Sequence, residues 1–126
     1  MKNETNLSPI QQSRKEALTW AKQYLVGQTI YLSGIDITLT FTMKGIKEAI
    51  NQPHKHYIEK NRAIKGIQNL LESADLVKKE EDISRVEFRY YYFRTIISGE
   101  RSFIVLREIR FTGITDFYSI VDKIKE

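Results

Sequence analysis

The chain contains no cysteine, two histidines, two prolines and six glycines among its 126 residues. Without cysteine there can be no disulfide, no thiol nucleophile and no Cys-ligated zinc. Two histidines make a multi-His metal centre an unfavourable expectation, and no metal or cofactor is expected. Scarce proline and glycine leave no flexible linker to divide the chain. No apolar run approaches the eighteen or so residues a membrane span needs, so no membrane partner is expected. The polar N-terminus lacks the apolar stretch of a secretory signal.

What is present is the balance of a globular chain, with 41% hydrophobic and 29% charged residues. The length suits a single domain over residues 1–126, with order beginning near Ser8 and about seven disordered residues before it. A formal net charge of +4 hints at an anionic partner.

Ser8-Pro9 is a helix-start pair, and apolar residues recur at helical spacing up to Gly27, which predicts a helix over residues 9–26. Residues 35–41 alternate as a half-buried strand, while 28–33 reads as a strand or an irregular connection. Thr42 can cap a short helix to Asn51, and the Pro53 that follows breaks it. A third helix is predicted over residues 57–74. The KKEED run near residue 80 reads as a charged connection, with at most a brief strand at its start. Residues 86–97 and 102–110 form a hairpin about Ser98-Gly99, and residues 114–120 a last strand. The expected class is α+β: helices on one face of an antiparallel sheet of about four strands.

A two-residue turn at Gly99 assigns partners. Phe88, Tyr90, Tyr92, Arg94 and Ile96 share a face with Phe103, Val105, Arg107 and Ile109, and this mostly apolar face is expected to meet the helices. Arg89, Tyr91, Phe93 and Thr95 share the other with Ile104, Leu106, Glu108 and Arg110, and that face is expected to be open. Six of the eight arginines lie between residues 85 and 110, and five of the twelve lysines between 44 and 65. Arginine suits bidentate phosphate binding, and arginine interleaved with tyrosine is the composition of surfaces that hold RNA. The bland reading is equally available: arginine and tyrosine often just cover the open face of a sheet.

The segment FTMKGIKEAINQPHKHYIEKNRAIK, with the later YYYFRTIISGERSFIVLREIR and FYSI, resembles a domain found at the C-termini of phage head-morphogenesis proteins and other mobile-element polyproteins. That family is placed in the barnase–EndoU–colicin–RelE superfamily of metal-independent ribonucleases, which implies helices before a four-stranded sheet. It also implies a toxin-like cytoplasmic protein, or one delivered with a phage particle. RNA would be the partner, with a cognate inhibitor or a phage protein as the other. Such an enzyme needs a base for the ribose 2′-OH, an acid for the leaving oxygen and cations for the phosphoryl charge. The catalytic candidates are His54, His56, Lys47, Arg110, Glu108 and Tyr118, and the RNA-binding candidates are Lys44, Lys55, Arg89, Tyr91 and Arg107. Tyr118-Ser119 matches the family's late Tyr-Ser pair. Glu48, following Lys47, departs from the Lys-His pair of many superfamily relatives. The competing expectation is an inactive interaction module of the same fold. A DNA-binding protein ranks last, because no helix-turn-helix pattern is present.

Overall fold

The computed structural model describes residues 7–82, 84–85 and 87–125. The expected disorder before Ser8, and the strand start at Val86, fall mainly outside these residues. The first helix, α1 (Pro9–Tyr24), opens on Ser8, whose side chain and that of Gln11 cap each other's backbone amides. A hairpin, β1 (Thr29–Leu32) and β2 (Ile37–Thr40), follows. Thr42 then caps α2 (Met43–Asn51) by accepting from the Gly45 N–H. Next come α3 (Tyr57–Ala63), a 3-10 turn (Ile64–Gly66) and α4 (Ile67–Ser73). These three pieces fill the predicted third helix. The chain ends with β3 (Asp75–Glu81), β4 (Phe88–Ile97), β5 (Glu100–Ile109) and β6 (Thr115–Val121).

The helices precede most of the sheet and cover one face of it, as expected. The sheet itself corrects the expectation, because it has six strands in the order β1-β2-β6-β5-β4-β3 and is mixed. The β2–β6 pair is parallel, joining Leu39 to Thr115 and Thr40 to Asp116. The stretch expected as a charged connection is instead strand, β3, at one edge of the sheet. A Lys- and Glu-rich edge strand bonds on one side only and discourages pairing with other chains.

The β4–β5 register is the one the turn predicts, from Phe88–Ile109 to Ile97–Glu100, with Ser98 and Gly99 both at positive φ as a two-residue hairpin requires. The expected orientation of the faces is reversed. Tyr91, Phe93, Ile104 and Leu106 join helix residues Ala17, Ala21, Ile46 and Ile64 in the core. Their face carries its charges only at the strand ends, beyond the reach of the helices. The apolar residues of the opposite face are spread along the whole hairpin. Position along the strand, not the count of apolar residues, decides which face is covered. Trp20 is half-buried against the core, with its ring tilted against that of Tyr24, centroids 5.6 Å apart.

Candidate nucleic-acid interface

The distinctive segment from Thr42 to Asn61 is occupied with holding the fold. A Cβ at Gly45 would lie 1.8 Å from the Phe117 carbonyl oxygen, so α2 can approach β6 this closely only with glycine there. Lys60 is fully buried, and its ammonium donates to the carbonyls of Ala49 (2.6 Å) and Ile50 (3.0 Å) at the end of α2. Burial, and then the Arg14 charge, push its pKa down to about 7. Tyr57 donates to the Ile50 carbonyl at 2.6 Å, and Arg14 donates to both Tyr57 and Asn51. Gln52 donates to Glu48.

His54 belongs to the same scheme. Its Nδ1 accepts the His56 backbone N–H at 2.8 Å, which puts the ring proton on Nε2. That nitrogen lies 2.8 Å from Ser102 Oγ, and Ser102 donates onward to the Glu100 carbonyl. Burial lowers the His54 pKa, so the ring is held neutral with both nitrogens engaged. Lys55 and His56 gather at the same corner, 3.5 and 3.9 Å from the Glu100 carboxylate. Lys44 and Lys47 are exposed on α2, and Lys47 lines a separate hollow with Arg14 and Lys15.

At the far end of β5, Glu108 accepts from Tyr91 at 2.9 Å and Arg89 at 3.4 Å, and Glu81 pairs with Arg110 at 2.6 Å. Tyr91 is only 5% exposed, too little to stack on a base. Ser102, the partner of His54, and Glu108 are six residues apart on one strand, roughly 20 Å. The structure therefore does not bring the histidines together with Glu108 and Arg110.

Tyr118 and Arg107 lie on a third surface, the sheet face away from the helices. Arg107 was expected on the helix side. It is instead 3.6 Å from Asp116, on the neighbouring strand, with its guanidinium stacked between Phe88 and Tyr118 at 4.7 and 4.6 Å. Burial pushes the Asp116 carboxyl up, against the pull of Arg107. A register shift between Val105 and Leu106 leaves Tyr118 as the extra residue of β6, 5.8 Å from the ring of Tyr90. Tyr90, Tyr92, Tyr118 and Ser119 line a hollow of about 310 Å³ with Lys123 and Lys125. A second hollow of about 330 Å³ holds Lys78, Arg94, Arg101 and Phe103. Among the described residues, five basic side chains and one acid, Glu80, line the two hollows. Tyr92 donates to Glu80 at 3.0 Å under the Lys78 ammonium, and burial raises its pKa.

Sequence reasoning passed over Tyr90, Tyr92, Arg94, Arg101, Lys123 and Lys125 as site residues. The signal available was Tyr90-x-Tyr92-x-Arg94, a period-two row on one face of a strand.

The fold is thus a helix-covered mixed sheet with a basic, aromatic outer face. Residues 9–110 match the family described as Large polyvalent protein-associated domain 3, and the chain belongs to it. This agrees with the phage or mobile-element polyprotein setting expected from the motif. No curated protein and no solved structure matches the chain. Among the described residues no helix is long and apolar enough to cross a membrane.

Proposed function

We propose that this domain binds single-stranded RNA on the sheet face opposite the helices, without cleaving it. The observation that carries this reading is the pairing of three tyrosines with five basic side chains on one surface. Rings there can stack on bases, and Lys and Arg can track phosphates. A barnase–EndoU–colicin–RelE ancestry fits the order of helices before sheet and would supply such a surface. The groups that cleavage by 2′-OH attack would use, His54, His56, Glu108 and Arg110, lie away from it.

The test is fluorescence anisotropy with a labelled oligonucleotide across a salt series. Binding should weaken steeply with salt, with a log–log slope of up to about 3.5 in magnitude if all five cations meet phosphates. Tyr118→Ala should weaken binding about 5- to 30-fold while the protein stays folded. RNA incubated with the protein in EDTA should remain intact. Absence of binding at low salt, or unchanged affinity in Tyr118→Ala, would sink the reading.

One observation favours docking to a polyprotein segment or phage protein instead. Phe111 and Ile114, in the β5–β6 turn, are 82% and 59% exposed. Phe111→Asp should leave RNA affinity unchanged on the first reading and abolish partner capture on the second.

A further inference from the structure

The RNA face is crossed by the chain itself. Residues 102–106 of β5 are all buried, which requires cover on both sides of the sheet. Helices supply it on one side. On the other, Phe103 and Val105 are 6% and 4% exposed although no helix lies above them. The segment after β6 is placed to cover them, beside Tyr92, Tyr118, Arg94 and Arg101. Ile124 lines both the tyrosine hollow and the Lys78–Arg94–Arg101 hollow, so it sits on the ridge between them. The Lys125 carbonyl accepts from the Lys78 ammonium on β3. In the strand order, β6 is separated from β3 by β5 and β4. Residues 122–125 therefore run from β6 across β5, and the Lys78 side chain reaches back over Tyr92 of β4 to meet their end. The start of the segment is held by the Lys55 backbone N–H, which donates to the Asp122 carboxylate at 2.7 Å.

We infer that residues 122–125 are a displaceable strap that restrains RNA binding, and that lifting it joins the two hollows into one groove floored by Phe103 and Val105. The groove's occupant rests on the RNA-binding reading. With the strap down, a strand of RNA reaches one hollow or the other. With it lifted, bases can stack from Tyr118 to Phe103 while phosphates meet Arg94 and Arg101. Lys123 and Lys125 flank Ile124, so the strap itself attracts the polyanion that replaces it. Among the described residues the hold is slight: one apolar side chain and two polar contacts at its ends.

The absence of native cysteine allows a clean test. Val105→Cys places a single thiol beneath the strap, and Ile124→Ser loosens the strap while keeping both lysines. The buried thiol should react slowly with Ellman's reagent in Val105→Cys and up to about tenfold faster in the double variant, with circular dichroism confirming the fold. In the otherwise native chain, Ile124→Ser should tighten binding of the same oligonucleotide about tenfold, as removing a form closed roughly 90% of the time would do. No acceleration of the thiol would show that the strap is not the cover. A faster thiol with unchanged or weaker RNA affinity would overturn the restraint and leave the RNA-binding reading standing. A faster thiol with no RNA binding by either form would instead bring down that reading, and the restraint with it.

Discussion

The segment from Thr42 to Asn61 and the sheet face beyond the helices use polar side chains in opposite ways. In the first, Thr42, Tyr57, Lys60 and His54 each meet a partner within the fold, and Arg14 of α1 donates to Tyr57 and Asn51. On the second, Arg101 lines a hollow together with Arg94, which also pairs with Asp75 at 3.6 Å, and three tyrosines crowd another. A distinctive motif is thus accounted for by folding, and an unremarkable Arg–Tyr pattern carries the candidate interface. A conspicuous sequence signal marks whatever is hardest to replace, and in a small domain that is often a close contact.

The largest expected effect breaks the first region. Gly45→Ala should cost about 3 kcal/mol or more, because its methyl would meet the Phe117 carbonyl, a backbone atom that can yield only if β6 moves. Urea denaturation measures it, and near-native stability would show that α2 does not need this approach. The next effect is at His54. His54→Ala should lower stability by about 1–3 kcal/mol, since it orphans the His56 N–H and the Ser102 hydroxyl. A catalytic histidine would instead leave stability intact and abolish RNA cleavage. Burial depresses the folded pKa of His54, so its share of stability is complete above the unfolded value of 6.5 and is lost as the pH falls through the folded one. Native protein should therefore lose stability on acidification below about 6.5 more steeply than His54→Ala.

Lys60 sharpens the same contrast through pH. Its pKa is about 7 folded and 10.5 unfolded, so between those values the unfolded chain binds more protons. Stability must then rise with pH across that window and fall back as the pH returns toward 7. The difference in unfolding free energy between native protein and Lys60→Met should show this rise. A flat difference would mean that the two carbonyls compensate fully for burial of the charge.

Much of the fold could be read locally. The Ser8 and Thr42 caps, the break at Pro53 and the turn at Gly99 are signals carried by one or two residues, and each fell where expected. What escaped was non-local. The DLVKKEE run of β3 looks like a loop until β4 offers it an inner edge. The parallel β2–β6 pair joins residues far apart in the chain. Tyr118 and Arg107 could be picked out by type, but the bulge that turns Tyr118 toward Tyr90 depends on register. The reversed faces hid Tyr90 and Tyr92, and the crossing of residues 122–125 required the strand order. The two basic blocks do not merge into one site: Lys60 is sequestered, Lys55 is paired, and Lys47 serves a hollow on the helix side.

The smallest effect tests whether the second region binds through charge at all. Arg101→Ala removes an exposed side chain near the β4–β5 turn, so stability should barely change. If the guanidinium meets a phosphate, the salt slope for a single strand should drop by about 0.7, and affinity should weaken similarly for every sequence offered. Lys47→Ala is the control: a basic residue also exposed, but in the helix-side hollow, whose loss should leave the slope unchanged. Equal slopes for the two variants would mean that RNA senses only net charge, and the distinction between the two surfaces would collapse. A loss confined to Arg101→Ala would assign the phosphate path to the sheet face, independently of any stacking on Tyr90 or Tyr118.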